Sequence, residues 1–377
     1  MLKWMGYTSV WSRYRDQFPV TQNLIYMNHA GVTPLCKAAA DAMRWVLEDN
    51  FHYGSDHYDK WMACYEGLRN ATAKLINADA AEIALVKNTS EGISMVAQGI
   101  DWVPGDKVIA FDEEFPANYY PWQRLESKGV TVKFLSVHDS LETIEQECRG
   151  ARLLTISYVQ YLSGLRINLK ALGDICARQK CFFFVDAIQG MGVFPIDVRD
   201  SKIHALAADG HKWLLGPEGC GVLYVQRDRQ DEIAPVEFGY TNVQNCSDYG
   251  QRTKLLRTDA ARYECGTMNT IGCFGLRAAI EFILEVGVSQ IGPAVQALGD
   301  QLADGARRKG YEVFGERTPE TGSGIVSFRK EGVDSRMLYK HLKDAGVIGA
   351  PRAGWMRLSP HFYISPEDVD KAVSLMP

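Results

Sequence analysis

The strongest constraint on this 377-residue chain lies between Cys181 and Tyr224, where two short apolar runs each end on a carboxylate. Cys181-Phe182-Phe183-Phe184-Val185 is continuous and aromatic, the pattern of a strand buried on both faces, and Asp186 closes it. Ile203 to Ala208 repeats the pattern and runs into Asp209-Gly210-His211-Lys212. Strands dry on both faces belong to parallel sheets covered by helices, and such sheets bind ligands in the crevice at the carboxyl ends of their strands. With both strands in one sheet, Asp186 and Lys212 open into the same crevice.

The rest of the chain keeps this rhythm. Strands are expected at 83–86, 107–111, 131–135, 152–157, 181–185 and 203–208, with helices at 91–98 and 169–179 among them. One more strand is expected at 220–225, tied back by Gly216-Pro217-Glu218-Gly219 closely enough to be antiparallel to its neighbour. The pattern predicts an α/β fold with a mostly parallel, seven-stranded sheet between helices. After about residue 275 it changes to a long helix (274–286) and short strands (311–314, 324–328), a smaller α+β unit. The expected division is 21–274 for the large domain and 275–377 for the small one, with 1–20 packing on the latter.

An amine and a buried carboxylate in one crevice are what pyridoxal phosphate (PLP) needs. The cofactor withdraws electrons only while its ring nitrogen stays protonated, so a carboxylate must sit beside that nitrogen, and Asp186 is the candidate. A lysine holds the aldehyde as a Schiff base and later moves protons at the substrate α-carbon. Lys212 is the candidate, and burial or cationic neighbours must lower its amine from an ordinary pKa of ~10.4. The dianionic phosphate needs donors. Val86-Lys87-Asn88-Thr89-Ser90-Glu91-Gly92 gives a strand end, a hydroxyl-rich turn and a helix start, which can cup a dianion but taken alone more often makes a plain helix cap.

Val185-Asp186-Ala187-Ile188-Gln189-Gly190 and Ala208-Asp209-Gly210-His211-Lys212-Trp213-Leu214-Leu215-Gly216-Pro217 together resemble the signature of fold-type I PLP enzymes of the class V aminotransferase group. That group includes cysteine desulfurases, isopenicillin N epimerase and kynureninase. The likeness runs from Tyr26-Met27-Asn28-His29-Ala30-Gly31 to Arg357-Leu358-Ser359-Pro360-His361-Phe362-Tyr363. It implies the PLP-dependent transferase fold and the following roles. Thr89, Ser90 and His211 hold the phosphate. Asp209 departs from the pattern, standing where some relatives carry serine; it cannot donate to phosphate when ionised, which leaves orienting His211 as an alternative role. Phe115 stacks on the ring where desulfurases place histidine. Gln189 and Gln160 contact the phenolate oxygen, although the Gln160 loop aligns one residue either way. Thr267, in Gly266-Thr267-Met268-Asn269, reaches the phosphate of the other subunit of a homodimer. Arg357 grips a substrate α-carboxylate, and Asn28 lies at the substrate side. Arg352 is either a second carboxylate clamp or an exposed loop charge.

A desulfurase also needs a mobile cysteine in the small domain, and none occurs after Cys273. The reading is therefore an enzyme acting on an amino acid or amine, with transamination first and epimerisation or lyase chemistry as alternatives. A non-catalytic PLP- or phosphate-binding protein is the alternative from another class. A net charge of −5 leaves no basic footprint for nucleic acid or an anionic membrane. No apolar run approaches ~20 residues, and the first residues lack a secretory core, so a cytoplasmic location is expected. Nine cysteines, an odd number without a Cys-x-x-Cys pair, fit reduced thiols rather than a disulfide framework or a metal site.

Overall fold

A computed structural model describes residues 8–250 and 252–377. A two-residue strand, β1 (Ile25–Tyr26), precedes the large sheet. That sheet contains β2 (Ile83–Val86), β3 (Lys107–Phe111), β4 (Thr131–Leu135), β5 (Leu153–Ser157), β6 (Phe182–Asp186), β7 (Ala205–Asp209) and β8 (Gly221–Val225). The spatial order is β2-β8-β7-β6-β5-β3-β4. All neighbours are parallel except at β8, which is antiparallel to both β2 and β7. The connection from Asp209 to Gly221 is too short for the crossover that a parallel return requires.

Side chains alternate along these strands and divide between two cores. Phe183, Val185, Leu206, Ala208, Val222 and Tyr224 join one core, and Phe182, Phe184, Ala205, Ala207, Leu223 and Val225 join the other. Both faces are dry, which is why the strands read as unbroken apolar runs. Burial of a phenylalanine such as Phe183 or Phe184 contributes roughly 1.5–3 kcal/mol. The helix Thr89–Gly99 lies close against β7, and Gly92 allows this. A Cβ there would come within 2.9 Å of the Ala207 Cβ.

The second sheet is antiparallel and uses β9 (Glu312–Val313), β10 (Val326–Arg329), β12 (Ala350–Arg352) and β13 (Trp355–Leu358), in the order β12-β13-β10-β9. The intervening strand, β11 (Val347–Ile348), pairs in parallel with β1 and so ties the start of the chain to its end. Residues before β1 pack on the C-terminal part: the Phe18 ring stacks on Tyr363 with centroids 3.6 Å apart, and Arg15 Nη1 lies 2.6 Å from Asp368 Oδ2. Among the described residues, no helix is long and apolar enough to cross a membrane.

Several element ends differ from the sequence reading. The strand expected at 203–208 starts at Ala205, because Ile203 is buried in a turn, its N–H bonded to Val198 O. The helix expected at 91–98 starts at Thr89, since Asn88 Oδ1 accepts the Glu91 N–H. The helix expected at 274–286 runs from Thr270, capped by Asn269 Oδ1 on the Gly272 N–H. The strand expected at 311–314 shrinks to Glu312–Val313, and that at 324–328 shifts to Val326–Arg329.

Candidate active site

The carboxyl ends of β6 and β7 and the start of the Thr89–Gly99 helix enclose a cavity of about 230 Å³. It brings together Thr89, Ser90, Phe115, Asp186, Gln189, His211, Lys212, Arg352 and Arg357 from segments far apart in sequence. Asp186, at the end of β6, is 2% exposed, and its Oδ1 accepts the Ile188 N–H at 3.0 Å. Burial pushes its pKa up to about 7; the Ile188 N–H opposes this, Glu114 adds to it, and Lys212 opposes it.

Lys212 follows β7 through a tight turn. Gly210 makes the turn possible, because a Cβ there would lie 2.8 Å from both Cys220 O and Leu276 Cδ1. The Thr33 N–H holds the same loop through His211 O at 2.7 Å. Burial lowers the Lys212 pKa to about 8, Asp186 resists, and Arg357 and Arg352 add to the lowering. Both devices that a lysine nucleophile needs, desolvation and nearby cations, are therefore in place. Its Nζ lies 5.5 Å from the centroid of Phe115, whose ring meets Tyr161 edge-on at 5.4 Å.

Asp209 and His211 also line the cavity, with Asp209 Oδ2 2.9 Å from His211 Nδ1. The two are not aligned as a hydrogen bond, and Asp209 Oδ1 and His211 Nδ1 are buried without partners. Thr89 Oγ1 is likewise buried and unpartnered. The first N–H groups of the helix beside it have no intrahelical acceptor, so this end presents donors and a positive partial charge.

Arg357, on β13, is 2% exposed. Its Nη1 donates to Tyr161 O at 2.7 Å, while its Nε is buried without a partner. Burial lowers this guanidinium to a pKa of about 10, with Arg352 adding to the effect. Arg352 is exposed and bonds Pro351 O at 3.0 Å.

Gln189, Gln160, Asn28 and Thr267 differ in how they stand to this cavity. Gln189 lines the cavity, but its carboxamide is engaged at both ends, donating to Ala30 O at 3.1 Å and accepting from Trp213 Nε1 at 2.7 Å. Gln160 lies behind the wall, with Nε2 donating to Glu114 Oε1 at 3.0 Å. Asn28 packs under Gly31, where a Cβ would come 2.5 Å from its Oδ1, and is not part of the lining. Thr267 lies in a separate cleft with Lys87, Glu237 and Asn269.

Glu114 is the residue that sequence reasoning missed. It is buried, accepts the Ser157 N–H at 2.6 Å and bonds the Ser157 hydroxyl, and burial raises its pKa. Ser157 is the register partner of Asp186, so a second buried carboxylate stands behind the first. Its only signal was a carboxylate doublet, Glu113-Glu114, soon after an apolar strand.

The model of the class V aminotransferase family matches residues 25–371. The chain belongs to that family. Class V aminotransferases use PLP. Among curated relatives, a probable cysteine desulfurase of Pyrococcus abyssi is 32% identical over 326 residues, covering 83% of this chain and 80% of the relative. An uncharacterized aminotransferase of Bacillus subtilis, YcbU, is 29% identical and covers 96% of both chains. The apo structure of a cysteine desulfurase from Thermococcus onnurineus superposes with a TM-score of 0.89 at 26% identity, again over 96% of each chain. The class V site suits PLP by its unsatisfied atoms. Thr89 Oγ1 and His211 Nδ1 are buried without hydrogen-bond partners, and a carboxylate with one protein hydrogen bond lines the same cavity as a partly buried amine.

Proposed function

We propose that this class V enzyme is an aminotransferase acting on an amino acid, with Lys212 as its catalytic base. In this reading Asp186 faces the ring nitrogen of PLP and Lys212 its aldehyde, Phe115 covers the ring, and Thr89, Ser90 and His211 hold the phosphate. When bound, PLP supplies an aldehyde that bonds an amine and a protonated ring that accepts the electron pair left when the α-hydrogen departs. Lys212, with a pKa of about 8, is partly neutral at physiological pH and so takes a proton from the substrate α-carbon. Arg357 fixes the α-carboxylate through a charge-assisted contact. Thr267, outside the cavity of its own chain, fits a homodimer in which it reaches the partner's phosphate.

The observation that carries this reading is a buried carboxylate and a lysine in one cavity whose described lining contains no thiol. The names of several relatives favour a second reading, cleavage of a carbon–sulfur bond without a protein cysteine. One experiment separates them. Protein supplied with PLP should absorb visible light, lose that band in Lys212→Ala, and after borohydride reduction carry the PLP mass on the Lys212 peptide. With an amino-acid donor, the cofactor should be recovered as pyridoxamine phosphate together with an equivalent of 2-oxo acid. Sulfide from cysteine with PLP unchanged overturns transamination in favour of lyase chemistry, inverted amino acid points to epimerisation, and failure to take up PLP removes the whole reading.

A further inference from the structure

Resting on that reading of the cavity, we propose that Arg352 and Arg357 act as a pair and select an amino acid with a second, side-chain carboxylate. The register of the β12–β13 hairpin sets Ala350 opposite Arg357 and Arg352 opposite Trp355. Directly opposed residues share a face, and so do alternate residues along each strand, so the two arginines project from the same face. Both line the cavity. The hairpin is closed by Ala353 and Gly354 alone, with φ of 48° and 83°, the two left-handed residues of a tight turn that matches strand twist. Arg352 therefore leaves a backbone fixed by pairing rather than a loose loop.

Neither guanidinium has a carboxylate partner among the described residues. Elsewhere in the chain, arginines are commonly neutralised, as Arg69 is by Glu264, Arg317 by Asp300 and Arg329 by Glu312. Arg357 is buried with an unsatisfied Nε, and an uncompensated buried charge is unfavourable until an anion arrives. One α-carboxylate answers Arg357. It leaves Arg352, a second cation close enough to disfavour the charge on Arg357, with four of its five N–H donors unused by any protein acceptor that the structure shows. The carboxylates of the cavity are committed elsewhere: Asp186 stands beside Lys212, and Asp209 beside His211. A phosphate held at the Thr89 end makes no demand on this hairpin. A second anionic group on the substrate matches the remaining cation.

The test uses the full-length protein with PLP and two isosteric pairs, glutamate against glutamine and aspartate against asparagine, read as formation of pyridoxamine phosphate. At least one acid should exceed its amide by roughly tenfold or more in kcat/KM, the scale of one charge-assisted contact. Arg352→Gln should collapse that ratio toward one, and Arg352→Lys should keep part of it. In parallel, calorimetry of glutarate against butyrate on the same protein should show tighter binding of the diacid, with the preference lost in Arg352→Gln. Equal rates for acids and amides while pyridoxamine phosphate still forms overturn the inference and leave the transaminase reading standing. Should no amino acid react, or no PLP bind, that reading falls, and glutarate binding no tighter than butyrate overturns the pair on its own.

Discussion

Asp186→Asn should stabilise the PLP-free protein, and do so more as pH rises. The Asp186 carboxyl shifts from 3.8 to about 7 on folding, chiefly by burial. A raised acid pKa means that the folded state keeps a proton which the unfolded chain has released, so stability falls as pH rises from ~4 to ~7 and stays low above that. At ~1.4 kcal/mol per unit, roughly three units amount to about 4 kcal/mol, of which about 3 kcal/mol develops between pH 5 and 8. With an unfolding entropy of ~2.1 cal/mol/K per residue, this is a shift of about 3–4 °C in Tm for a chain of this length. Asparagine keeps an oxygen for the Ile188 N–H but never ionises. Scanning calorimetry of both apo proteins from pH 5 to 8 should therefore show the variant pulling ahead, and PLP at pH 8 should restore the wild type far more than the variant. A Tm difference that stays flat with pH refutes the reasoning, because Lys212 would then already balance the charge in the apo cavity.

Two further outcomes follow from other parts of the structure. Phe115→Ala should weaken PLP binding about tenfold, since an aromatic stack is worth ~0.5–1.5 kcal/mol beyond its area; equilibrium dialysis showing an unchanged Kd would remove Phe115 from the ring face. Glu264 accepts both Arg69 Nη atoms and the Leu85 N–H. Glu264→Ala leaves the buried Arg69 guanidinium with the exposed Glu66 carboxylate, 3.2 Å from its Nε, as its remaining ion-pair partner, and should cost about 3 kcal/mol, read as an earlier urea midpoint, whereas a loss below ~1 kcal/mol would mean that Glu66 and water suffice.

The large sheet was legible because both its faces are dry, so apolar runs mark strands directly. Even the antiparallel β8 followed from a connection too short to cross over. Edges were less legible where burial and pairing part company. Ile203 is as buried as a strand residue yet pairs with nothing in the sheet. The start of the Thr270–Val286 helix was hidden by Gly272 and Gly275, poor helix formers that packing requires, since a Cβ on Gly275 would sit 2.7 Å from Met43 Sδ. Lys212, Asp186 and the arginines were legible as chemical types at strand ends or on a short strand. The engagements of Gln189 with Ala30 and Trp213, and of Glu114 with Ser157, were not, because each depends on partners that only tertiary folding brings near.

The two-residue closure of the β12–β13 hairpin leaves no slack in the chain on that side of the cavity. A strand pair turned so abruptly has no arm to extend, and its furthest reach is the length of one arginine side chain. In the proposed reading, bond breaking then falls to groups rooted at the rim of the large sheet, and the hairpin contributes grip alone.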